Sequence, residues 1–141
     1  MKKVAAALAL FFVPVAQAQA TPRQFNLECR DVQSGGRIEE RISLVMSVDL
    51  DRKLSCRQWQ SSCFVKPLVE QGRWIDLSYT FTAQSGEEYE MYRLYDRTTG
   101  WLDQVVRRTG EAGNPYGDSV CKVVAYTPFQ DSRTAPPADV R

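Results

Sequence analysis

Cys29, Cys56, Cys63 and Cys121 are the residues with the most chemistry in this chain. Thiols in a small domain either ligate a metal or pair off as disulfides. Metal ligation wants close Cys-x-x-Cys pairs, usually with histidine, and the chain has no histidine. The even count therefore reads as two disulfides, with no metal site. The stretch SCRQWQSSC favours Cys56–Cys63, a clip over a turn, and Cys29–Cys121 then joins the first strand to the last. Loop-closure entropy gives about 2.5 kcal/mol for the short loop and about 4.5 kcal/mol for the long one, so the long link matters more to stability.

The missing histidine also excludes Ser-His-Asp and Cys-His catalysis. No glycine-rich loop follows a strand and opens a helix, so a phosphate cradle is not expected. Carboxylates remain. Asp49 and Asp51 sit at a strand end, and Glu87, Glu88 and Glu90 cluster on another strand. Glycoside hydrolysis needs two carboxylates set across a cleft. Solvated charges at strand ends are the expected role here, so no catalytic residue and no cofactor is assigned. A carboxylate-dependent hydrolase is the weakest of the readings. Tryptophans offer the better clue. Trp59 lies inside the short disulfide loop, Trp74 on the polar side of its strand, and Trp101 just after a hairpin glycine. An exposed tryptophan beside polar groups can anchor a protein partner or a sugar ring. These three are the candidate binding residues.

The elements that position them follow from periodicity. The chain opens MKKVAAALALFFVPVAQAQA: a basic pair, an apolar run too short for a comfortable bilayer span, and small-x-small cleavage sites. Residues 1–20 read as a secretory signal peptide, which places the mature protein in a periplasm or outside the cell. Of 18 basic residues Lys2 and Lys3 leave with it, so 16 face 17 acidic ones, a net charge of −1. So balanced a chain has no electrostatic footprint for nucleic acid or anionic lipid.

Residues 21–126 read as one β domain. Arg37–Leu50 carries apolar residues at Ile38, Ile42, Leu44, Met46, Val48 and Leu50, the period of two of a long half-buried strand. Other strands are expected over Phe25–Asp31, Leu54–Trp59, Cys63–Val65, Arg73–Thr82, Glu87–Tyr95, Trp101–Arg108 and Ser119–Tyr126. Loops are expected at 67–72 and 110–118. The face that Glu87–Tyr95 turns inward is not decided by its pattern. Residues 127–141, with three prolines, read as a mobile tail. Short connections make neighbours antiparallel. A Cys29–Cys121 bond then curls the meander into a seven- or eight-stranded barrel, the alternative being a two-sheet β-sandwich.

Cys29, Asp49-Leu50, Cys56 with Cys63, Ile75-Asp76-Leu77 and Arg97-Thr98-Thr99-Gly100 carry a resemblance. The chain resembles a loose group of small, uncharacterised proteobacterial exported proteins with an early cysteine strand, a later cysteine pair and an Arg-x-Thr-Gly turn. The resemblance implies export and no particular activity. The expected function is a non-enzymatic periplasmic domain that binds an envelope protein or a glycan through surface aromatics. The alternative is a carrier of a small apolar ligand in the barrel interior.

Overall fold

The computed structural model describes residues 22–59, 62–115 and 117–128. The segment 1–20, expected as a signal peptide, and residues 129–141 of the expected tail lie outside the described part. Eleven strands form one antiparallel sheet: β1 (Gln24–Asp31), β2 (Leu44–Asp49), β3 (Leu54–Trp59), β4 (Ser62–Pro67), β5 (Val69–Gln71), β6 (Trp74–Asp76), β7 (Tyr79–Thr82), β8 (Glu88–Asp96), β9 (Trp101–Arg108), β10 (Asn114–Pro115) and β11 (Ser119–Val124). The described residues contain no helix.

Nine strands follow one path, β4-β3-β2-β1-β11-β9-β8-β6-β5, with β7 beside β8 and β10 beside β9. The two ends of that path, β4 and β5, are joined through Leu68. The sheet therefore nearly closes on itself as a barrel, and does not divide into the two layers of a sandwich. The count exceeds seven or eight because one expected strand divides and two stretches expected as loops each supply a short strand, Asn114–Pro115 of the 110–118 loop pairing with β9. Val69–Gln71, expected as loop, pairs with β6. Arg73–Thr82 is two strands that share one register against β8. The break falls at Ser78, whose hydroxyl accepts the Arg93 N–H at 3.0 Å.

β1 and β11 pair along their length, with Cys29 opposite Cys121 and their Cα atoms 3.9 Å apart. The Cys29 carbonyl accepts from Ser43, and the Cys121 N–H donates to Gly100. The two cysteines thus turn their backbone groups away from each other, as in the closer, non-hydrogen-bonded kind of antiparallel pair. Gly100 sits at φ +75°, and a Cβ there would lie 2.8 Å from the Cys121 carbonyl oxygen. Only glycine allows the hairpin loop this close to β11. Cys56 and Cys63 form the second disulfide, between β3 and β4.

Arg37–Leu50 is not the single long strand its alternation predicts. Only Leu44–Asp49 joins the sheet, and Ile38 and Ile42 are 47% and 38% exposed. The cause is a conflict of register. The turn at Gly35-Gly36 pairs Val32 with Ile38, whereas the barrel pairs Cys29 with Leu44. The two pairings differ by three residues, so the stretch between them loops out. An odd shift also reverses which side chains face the core.

Inside, Phe25, Leu27, Leu44, Met46, Val48, Leu50, Leu68, Ile75, Leu77, Tyr95 and Leu102 pack with the Cys29–Cys121 disulfide into one apolar cluster. Beside it lies a polar string. Ser43 and Ser119 both donate to Asp31 Oδ1, Gln104 Nε2 donates to Ser119 Oγ, and Arg93 Nε donates to Gln104 Oε1 at 2.9 Å. Arg93 is 1% exposed, and its guanidinium lies over the Tyr79 ring.

Candidate binding surface on the outer sheet face

The outward side chains of β6, β7, β8 and β9 form rows. Trp74 pairs with Asp96, and one step along the β8–β9 register brings Asp96 against Trp101. The following rows are Asp76, Leu94 and Asp103; then Ser78, Tyr92 and Val105; then Thr80, Glu90 and Arg107. Trp74 and Trp101 therefore stand on the same outer face, two strand spacings or about 10 Å apart. Trp101 is 38% exposed. Trp74 is half-buried, with the Arg73 guanidinium 4.6 Å from its ring centre. Trp59 closes the backbone of β3, away from these strands, and its side chain lies outside the described part.

Tyr92, at 39% exposure, is the aromatic residue that the sequence did not single out. It borders a groove of about 280 Å³ lined by Asp76, Ser78, Tyr79, Thr80, Glu90, Met91 and Arg107. Glu90 pairs with Arg107 across β8 and β9, and Glu87 with Arg108. The lining thus includes the rings and hydroxyls of Tyr92 and Tyr79, the carboxylates of Asp76 and Glu90, the hydroxyls of Ser78 and Thr80, and the Arg107 guanidinium.

The other acidic candidates have structural work. Asp49 is buried and accepts the N–H groups of Asp51 and Arg52, which fixes the β2–β3 turn. Asp51 pairs with Arg23 at 2.8 Å, and Arg23 also reaches Glu70. Arg97 pairs with Glu70 at 3.0 Å and donates to the Gly72 carbonyl, tying the β8–β9 turn to the β5–β6 turn. Among the described residues no group of three or more potential ligands could hold a metal ion.

Asp96 anchors the tryptophan row. Burial pushes its carboxyl up, but the Thr98 N–H, the Thr99 hydroxyl and N–H, and Arg73 together outweigh burial and hold it below the usual carboxylate range. The folded chain therefore takes up this proton less readily than the unfolded chain. Its stabilisation is complete above the ordinary carboxylate pKa of about 4 and is lost as the pH falls through the lower folded value. Thermal melts from pH 7 to pH 2.5 should show a smaller acid-side loss for Asp96→Asn than for the wild type. Equal losses would remove Asp96 from the account.

The class these features define is a disulfide-linked, all-β, nearly closed barrel built for an oxidising, non-cytoplasmic compartment. Among the described residues no helix is long and apolar enough to cross a membrane. No family model, no curated protein and no solved structure matches this chain.

Proposed function

We propose that the protein is a non-catalytic, exported binding domain that recognises a glycan on the outer face of β6–β9. The observation that carries this reading is the groove beside Tyr92. A sugar ring has an apolar C–H face and a rim of hydroxyls. The first stacks on an exposed aromatic ring, and the second donates to carboxylates and exchanges hydrogen bonds with hydroxyls. Tyr92, Asp76, Ser78, Thr80 and Glu90 present those partners side by side on paired strands. Trp101, farther along the same face, extends the aromatic surface. A rigid sheet also suits binding, because little ordering entropy is lost when its side chains are already held by neighbours. The carrier reading has less support, since an apolar cluster and a hydrogen-bonded polar string occupy the interior.

Titration calorimetry against a panel of soluble oligosaccharides tests the proposal. Tyr92→Ala should weaken binding by at least about tenfold, the effect of losing one well-packed aromatic contact, with an unchanged melting temperature. Trp101→Ala should weaken longer oligosaccharides more than short ones. Binding indifferent to Tyr92 would overturn the glycan reading. So would a Tyr92-dependent protein partner in the absence of any sugar affinity.

A further inference from the structure

After β11 the chain folds back over the outer face of the neighbouring strands. Two rows of outward side chains lie there. Val124, Asn26, Ser47 and Cys56 face one another in order across β11, β1, β2 and β3, and Gln24 and Asp49 belong to the next row. The outward face of an antiparallel sheet ordinarily meets water, yet Asn26, Ser47 and Asp49 are buried. The Thr127 N–H donates to Asn26 Oδ1 at 3.2 Å, and Ser47 Oγ donates to the Thr127 carbonyl at 3.2 Å. Both main-chain groups of one residue are thus held by side chains of two paired strands. The Tyr126 phenol is hydrogen-bonded to the Asp49 carboxylate. Burial, and then that charge, raises the phenol above the usual tyrosine value.

The receiving groups are set independently of the segment. Gln58 Nε2 donates to Ser47 Oγ at 2.9 Å, and Gln24 Nε2 donates to Asp49 Oδ2 at 3.0 Å. Asp49 is fixed further by the N–H groups of the β2–β3 turn. Lifting Tyr126 and Thr127 away would turn Asn26, Ser47 and Asp49 to water, which exchanges hydrogen bonds with them as well. The apolar cluster on the other side of the sheet is untouched. A segment held in this way is a ligand on a tether. What the face reads is one phenol and one main-chain N–H and C=O. The Thr127 residue itself is exposed, so its backbone is the part recognised.

We propose that the outer face of β1–β3 is a peptide-recognition site which the chain's own Tyr126-Thr127 keeps filled, and that its ligand is an extended segment of a second protein carrying tyrosine followed by a residue with a free main-chain N–H. One residue, Ala125, separates Tyr126 from Val124 at the end of β11. So short a tether gives the segment an effective concentration in the millimolar range or above. The intact chain therefore takes such a ligand weakly, and a partner gains the site by displacing the segment. The site is separate from the Tyr92 groove, which lies on β6–β9.

The probe is a blocked peptide Val-Ala-Tyr-Thr-Pro, the sequence of residues 124–128, titrated into the full chain carrying Tyr126→Ala. It should bind one to one, at least about tenfold more tightly than it binds the wild type, whose own segment excludes it. Phenylalanine in place of the peptide tyrosine, or N-methylation of its threonine, should each weaken binding about tenfold, since one loses the bond to a charged acceptor and the other the main-chain bond. Asn26→Leu added to Tyr126→Ala should weaken the peptide by a similar factor. Without peptide, hydrogen exchange at the Thr127 amide should be at least about tenfold faster in Tyr126→Ala than in the wild type, with little change in the melt. No binding to the Tyr126→Ala chain, equal affinity for variant and wild type, indifference to any of the three changes, or unchanged Thr127 exchange would each overturn the proposal. So would an unfolded Tyr126→Ala chain, which would make the segment a structural brace, or a wild-type dimer that exchanges these segments between copies. Tyr92→Ala should leave peptide binding unchanged, so this reading and the glycan reading fail separately.

Discussion

Replacing Cys29 and Cys121 together with alanine should lower stability by about 4.5 kcal/mol, most of what a domain of this size possesses. The bond closes a loop across 92 positions of sequence. Its loss releases the corresponding freedom in the unfolded chain. It also removes two sulfur atoms from the apolar cluster, where Cys29 is fully buried. The matching change at Cys56 and Cys63 should cost about 2.5 kcal/mol, because it frees a loop across only seven positions. Urea denaturation of both double variants checks the ranking. The Cys29/Cys121 variant should be largely unfolded at 37 °C, whereas the Cys56/Cys63 variant should still show a cooperative transition. The reverse order would mean that native packing at the β3–β4 clip outweighs chain entropy.

The second large effect should come from Gln104→Leu, at about 3 kcal/mol. Gln104 is buried and sits at the centre of the interior polar string. Its Oε1 accepts from the Arg93 guanidinium, and its Nε2 donates to Ser119 Oγ and to the Gly117 carbonyl. Leucine fills similar space but takes a charge-assisted acceptor from Arg93 in a region that water cannot easily enter. Gln104→Glu separates the contributions, since a carboxylate keeps the Arg93 contact and forfeits the two donated bonds. Its urea midpoint should fall between those of the wild type and Gln104→Leu. If the leucine variant matches the wild type, the buried network contributes little and packing alone holds this half of the barrel.

The parts of the fold legible in the sequence are those fixed by residue type at a single position. The cysteine pairing needed only the absence of histidine and the spacing of four thiols. Phe25, Leu27 and Cys29 alternate cleanly because β1 is paired on both sides and carries no break. Legibility fails where two constraints compete. Ile38 and Ile42 share the period of Leu44 and Met46, and nothing in that period reveals a three-residue difference between the turn and barrel registers. Arg73–Thr82 reads as one strand because the Ser78 interruption is a hydrogen-bond substitution that leaves alternation intact. On β8 the inward series Tyr89, Met91, Arg93 and Tyr95 contains a buried charge. It therefore looks no more apolar than the outward series containing Tyr92 and Leu94, and Tyr92 went unmarked for the same reason. Of the proposed site, Trp74 and Trp101 were visible as side chains. Their common face follows only from the β6–β8–β9 order.

The nested linkage of the cysteines bears on how the molecule is made. Read from its beginning, the chain presents Cys29 first, then Cys56 and Cys63, and Cys121 only near its end. Until β11 exists, Cys29 has two wrong thiols within reach and its proper partner not yet synthesised. An oxidant acting promptly on successive thiols would trap a Cys29–Cys56 species, which only later thiol–disulfide exchange could undo. The seven-position clip limits that hazard, because short loops close quickly and withdraw the competing thiols from reaction.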